Sequence, residues 1–114
     1  MTLRYRSVEP AGAAGGRRGP NVAIRITHIR QSGGAGHEHI VRLWWTNPAS
    51  GKTGDNTRAE IVSWIEDKNG KAYVEDAQGN RADVLVIAPS YGDKYLRTHA
   101  DGRWTDNLLA LPRK

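Results

Sequence analysis

The chain contains no cysteine. That excludes a disulfide framework, thiolate metal sites and thiol nucleophiles, and it fits a cytoplasmic protein. Long apolar runs are also missing: the longest extends only from Val84 to Ala88, too short to cross a bilayer or to form the core of a signal peptide. No internal repeat is visible, and neither a C-x-x-C nor an H-E-x-x-H pattern occurs. What is present is one domain's worth of material. The 114 residues are 38% apolar and include 13 glycines, an ordinary globular composition with room for one compact core and not for two.

Formal charge is +5, which invites a nucleic-acid reading, so the location of the charge matters more than its sum. Arg4, Arg6, Arg17 and Arg18 against Glu9 give the first 20 residues a net of +3, leaving +2 for the other 94. The stretch Ala11 to Pro20 (AGAAGGRRGP) is rich in Gly, Ala, Arg and Pro and has no apolar period. Such a segment cannot bury enough surface to offset its ordering entropy. Residues 1–21 are therefore expected to be a disordered basic arm, and residues 22–114 a single α+β domain.

Alternation of β-branched residues from Val22 to Arg30 predicts a strand, with Ile24, Ile26 and His28 on one face and Arg25, Thr27 and Ile29 on the other. His39 to Thr46 alternates in the same way, placing Val41, Leu43 and Trp45 opposite Ile40, Arg42 and Trp44. The two strands read as an antiparallel hairpin around Q-S-G-G-A-G. Asn47 to Asn56 reads as a turn, being dense in Pro, Gly, Ser, Asn and Asp. Thr57-Arg-Ala-Glu60 has capping-box spacing and opens a helix with Ile61, Trp64, Ile65 and Lys68 on one stripe; Asn69-Gly70 stops it. Lys71–Glu75 and Arg81–Ala88 form a second hairpin. Tyr95–His99 and Trp104–Leu111 form a third around the Asp-Gly dipeptide. The expected architecture is a small antiparallel sheet, β-β-α-β-β-β with room for a sixth short strand where Thr105-Asp106-Asn107 interrupts the last hairpin, and one helix packed on one face. One helix covers one face only, so the other is solvated, self-associated or occupied by a partner.

The stretches I-T-H-I-R (Ile26 to Arg30), H-E-H-I (His37 to Ile40), K-Y-L-R-T (Lys94 to Thr98) and D-N-L-L-A-L-P (Asp106 to Pro112) together resemble a family of short bacterial proteins known as a domain of unknown function, DUF3892. The resemblance spans roughly Val22 to Pro112, and its closing run is the most specific part. It implies a small bacterial domain with no assigned activity, cofactor or catalytic residue.

Several motifs have plainer explanations than function. Thr46-N-P-A-S-G-K-Thr53 nearly spells a phosphate-binding loop, but Thr46 replaces the first glycine and Gly54-Asp55-Asn56 separates it from the helix, so no cradle of backbone N–H groups forms at a helix start. Gly34-Ala-Gly36 lacks the third glycine of a dinucleotide fingerprint. An i, i+2 pair on a strand would aim His37 and His39 at one face, with His28 alongside and His99 as a fourth nitrogen. Two loop-edge histidines are the simpler reading, and no metal or other cofactor is expected. Ser32 near His37, and Asp101 and Asp106 near His99, form no catalytic order, so no catalytic residue and no enzyme is assigned.

The basic and aromatic residues are better placed. Arg42 and Trp44 face away from the helix if Leu43 and Trp45 face it, and alternation puts Tyr95, Arg97 and His99 together. Should both sets share the open face, they form a partner-binding surface. Because the folded domain is nearly neutral, the expected partner is a protein or a second copy of the chain, with no role for a membrane. The alternative is single-stranded nucleic acid on an Arg and aromatic platform.

Overall fold

The computed structural model describes Pro10 and residues 23–114. The basic arm expected over residues 1–21 lies outside the described residues apart from Pro10, which is buried. The strands are β1 Ala23–Gln31, β2 Ile40–Thr46, β3 Thr53–Thr57, β4 Lys71–Glu75, β5 Arg81–Ile87, β6 Tyr95–Ala100 and β7 Arg103–Thr105, and the helix α1 spans Arg58–Lys68. They build one seven-stranded sheet in the order β3-β2-β1-β4-β5-β6-β7. Neighbours are antiparallel except β1 and β4, which run parallel where Ala23–Arg25 meets Lys71–Tyr73. The α+β class with a single helix therefore stands. The wholly antiparallel β-β-α-β-β-β order does not: a third strand precedes the helix, and the sheet is mixed.

The extra strand is β3. Its turn-like composition conceals it, because its inward positions are Gly54 and Asn56 rather than apolar side chains. Gly54 lies opposite Trp45, and a Cβ there would stand 2.6 Å from the indole; glycine lets the ring lie flat against the strand. Asn56 accepts the Trp45 indole N–H at 2.8 Å. The near phosphate-loop motif is the β2–β3 turn, closed by Asn47 N–H donating to the Lys52 carbonyl at 2.7 Å.

Helix α1 begins with the expected capping box. The Thr57 hydroxyl accepts from Glu60 N–H, and the Glu60 carboxylate accepts from Thr57 N–H. It ends at Asn69, whose φ of 56° is left-handed, a conformation that Asn tolerates better than most residues. The helix carries the chain from the β3 edge to β4 in the middle of the sheet, and Ile61, Val62 and Trp64 bury against it.

Ile24, Ile26, Ile29, Ile40, Leu43, Trp45, Ala72, Val74, Val84 and Leu96 complete the core with Leu108. Two of these correct the expected strand faces. A register shift between Ile26 and His28 turns Ile29 inward, and a second between Arg30 and Gln31, opposite Arg42 and Ile40, does the same for Ile40. Each bulge inserts a residue and so flips the alternation beyond it.

The last expected strand, Trp104–Leu111, is shorter than its pattern suggested. Beyond β7 the chain turns at Asp106–Leu109, buries Leu108, and comes alongside β1, where Ile29 N–H donates to the Pro112 carbonyl and Lys114 N–H to the Ile29 carbonyl. Thr98 ties this return to β6. Its hydroxyl donates to the Thr105 carbonyl at 3.0 Å and accepts from Asn107 N–H at 3.0 Å and the Thr105 hydroxyl at 2.8 Å.

Candidate functional site

Strand register fixes what the face opposite α1 presents. Thr46, Arg25, Tyr73, Asp83, His99 and Trp104 are successive cross-strand partners from β2 to β7. Trp44 and Arg42 flank the row at one end, and Leu85 and Arg97, paired with each other, flank it at the other. The expected partner residues are thus on one face but not together. Strands β2 and β6 are four intervals apart in the sheet, about 19 Å at the usual strand spacing. A single platform of Arg42, Trp44, Tyr95, Arg97 and His99 is therefore corrected to two separate surfaces.

At the β2 end, Arg42 pairs with Asp55. The Trp44 ring has the Arg30 guanidinium 5.1 Å and the Lys114 ammonium 5.7 Å from its centroid. A depression of about 310 Å³ opens beside it, lined by Thr27, His28, Thr46, Thr53 and Asp55 among others. At the β6 end, His99 and Trp104 meet edge to face, with centroids 4.9 Å apart. Leu85 and Trp104 are 38% and 43% exposed, large apolar groups that the described chain does not cover. Arg97 donates to the Thr105 carbonyl and pairs with Asp106 at 3.1 Å. Tyr95 borders a cleft of about 460 Å³ with Arg58, Pro89, Tyr91 and Asp93. Between the two surfaces, Arg81 lies over Tyr73 at 4.3 Å.

The histidines do not assemble a metal site: among the described residues no three His, Asp or Glu side chains gather for one. His37 and His39 occupy a 3₁₀ turn, not a strand, so the i, i+2 geometry that would aim them together is absent. His28 pairs with the Thr27 hydroxyl at 2.9 Å. His39 donates to the Ser32 carbonyl at 3.2 Å and has Glu38 3.8 Å away. His37 is buried. Its Nε2 has no hydrogen-bond partner among the described residues, and Asp106 stands 3.7 Å off. Burial first, and the nearby Arg97 charge second, hold the His37 pKa below its ordinary value, against the opposing pull of Asp106 and Glu38. Asp106, read from the sequence as a neighbour of His99, instead joins Arg97 and His37.

Sequence reasoning passed over Thr98, Asn56 and the His37–Asp106–Arg97 contact. The signal for two of them was in the quoted motifs. Ile29 and Pro112, Arg97 and Asp106, Thr98 and Asn107, and His37 and Asp106 are each in contact, so the four stretches H-E-H-I, I-T-H-I-R, K-Y-L-R-T and D-N-L-L-A-L-P converge on the return of the C-terminal segment. A family model described as "Protein of unknown function (DUF3892)" matches residues 25–112. The chain belongs to the DUF3892 family. Within these DUF3892 stretches Ile29, Thr98 and Leu108 close the sheet on its inner side, while Arg30 and Arg97 reach its outer face. No curated protein and no solved structure matches the chain. Among the described residues, no helix of this DUF3892 chain is long and apolar enough to cross a membrane.

Proposed function

We propose that this DUF3892 chain is a non-catalytic protein-binding module that takes its partner on the β5–β6–β7 end of the sheet face opposite α1. The observation that carries the reading is the exposure of Leu85 and Trp104 on the same face of nearby strands, with Arg97 and His99 between them. Trp and Arg dominate the energetic centres of protein interfaces, and exposed apolar groups ringed by polar ones mark such surfaces. Strand β7 adds an edge three residues long, whose outward N–H and C=O groups suit pairing with a partner strand. The alternative, single-stranded nucleic acid over the same surface, is less favoured there. Arg97 is already paired with Asp106, and Asp83 adds a carboxylate to the patch. The lack of cysteine supports a cytoplasmic setting.

The test is site-specific photo-crosslinking in cells producing the full chain. The crosslinking residue is placed at Leu85, at Trp104, or at Ser63 on the exposed side of α1. Protein adducts at the first two positions and not at the third are expected, and an adduct of doubled mass would identify the partner as a second copy. Equal labelling at all three positions, or adducts to nucleic acid alone, overturns the reading.

A further inference from the structure

The β1–β2 end of the same face carries a different chemistry. Arg30 and Arg42 are direct cross-strand partners, and like charges opposed in this way repel unless something neutralises them. Asp55 neutralises Arg42. Arg30 has no Asp or Glu side-chain partner among the described residues: its Nε donates to the main-chain oxygen of Lys114 at 3.2 Å, and its guanidinium rests on Trp44. The Lys114 ammonium rests on the same indole. Arg113 spends its donors on the Gln31 side chain and the carbonyls of Leu109 and Leu111, all neutral acceptors. Two cations, Arg30 and Lys114, therefore border Trp44, and among the described residues neither they nor Arg113 has an Asp or Glu partner.

The depression beside them is polar as well as aromatic. Thr46 and Thr53 face each other across β2 and β3 and line it, with His28 and the Trp44 indole. His28 commits its Nδ1 to Thr27 and has no partner for Nε2 among the described residues. A flat aromatic wall, hydroxyl and imidazole groups at its edge, and the Arg30 and Lys114 cations at its rim are the complement of a planar ring that carries a phosphate.

We propose that the Trp44 depression binds a nucleotide. The phosphate draws Arg30 and Lys114 from the indole. The uncovered indole stacks on the base, and Thr46, Thr53 and His28 meet the polar edge of the base or sugar. A free nucleotide and a nucleotide within a single strand share this chemistry. The site is separate from the β5–β7 surface, so neither proposal depends on the other.

Four tryptophans make fluorine NMR of the fluorotryptophan-labelled full chain the natural assay, each signal being assigned by a Trp→Phe replacement. The probes are a pyrimidine mononucleotide, its nucleoside, inorganic phosphate and a short single-stranded oligonucleotide. The mononucleotide is expected to move the Trp44 signal and leave that of the distant, buried Trp64 in place, with the nucleoside and phosphate each binding at least about tenfold more weakly. Arg30→Gln is expected to weaken mononucleotide binding about tenfold, through loss of one charge-assisted contact. Lys114→Gln, on an exposed side chain that cannot compromise the fold, is expected to weaken it in the same direction. An oligonucleotide that moves Trp44 at far lower concentration assigns the site to a strand, and equal potency assigns it to the free nucleotide. A Trp44 signal unmoved by all four probes, or a mononucleotide affinity unchanged in both variants, overturns the proposal.

Discussion

Replacing Thr98 with valine isolates the contact that ties the C-terminal return to the sheet. Thr98 is fully buried, and valine copies its shape, so packing is retained while one hydroxyl is lost. That hydroxyl serves three partners: the Thr105 carbonyl, the Thr105 hydroxyl and the Asn107 N–H. Each intramolecular hydrogen bond is worth about 1 kcal/mol net, and a partner left unsatisfied out of water costs more, so Thr98→Val should lower stability by about 2–3 kcal/mol. In urea, with a slope of roughly 2 kcal/mol/M, the midpoint should fall by roughly 1 M at unchanged slope. Thr98→Ser keeps the hydroxyl and loses one methyl, so it should cost about 1 kcal/mol. A Thr98→Val loss below about 0.5 kcal/mol, or a larger loss in the serine variant than in the valine one, would refute the assignment of the tie to hydrogen bonding.

Three further outcomes follow from the same geometry. Gly70→Ala would bring a Cβ to 2.3 Å from the buried Trp64 indole and should destabilise by about 1–3 kcal/mol in thermal or urea unfolding. Thr57→Ala removes one arm of the capping box and should cost about 1 kcal/mol. Hydrogen bonds from Thr57 and Asn56 depress the Glu60 pKa, so its share of the cap is present at neutral pH and lost as pH falls below the usual carboxylate range. His37 works in the opposite region of the scale. Its folded-state pKa lies below the usual 6.5, so on acidification the unfolded chain takes up a proton before the folded one does. Stability should therefore decline as pH drops from about 7 toward the folded value, and His37→Gln should flatten that decline when urea midpoints are compared across the range.

Local signals in the sequence carried most elements and little of their arrangement. The Thr57–Glu60 box and Asn69-Gly70 marked both ends of α1 because caps are chemistry of adjacent residues. Alternation located β1, β2, β4, β5 and β6 for the same reason. It failed where a strand packs without apolar side chains: β3 is held by the fit of Gly54 to an indole and by the Asn56 hydrogen bond, neither of which has a period. It also failed at the bulges, since one inserted residue sends Ile29 and Ile40 to the side opposite the one their alternation implied. The parallel β1–β4 pair and the return of residues 112–114 to β1 depend on partners far apart in the chain, which no window of sequence contains. The candidate site suffered most from this. Arg42 and Trp44 share a face with Arg97 and His99 as alternation required, but the strand order that separates them is a non-local property.

The central claim is that α1 and the returning segment cover the inner face of the sheet while no described residue covers the outer face near β5–β7. Hydroxyl-radical footprinting of the dilute purified chain, read by mass spectrometry at single residues, tests it most directly. Trp104 and Leu85 should be modified rapidly, Trp44 at an intermediate rate, and Trp45, Trp64, Leu43 and Leu96 slowly, in the order of their exposure. A Trp104 as protected as Trp45 in the isolated chain would mean that the outer face is already covered, and would contradict the account.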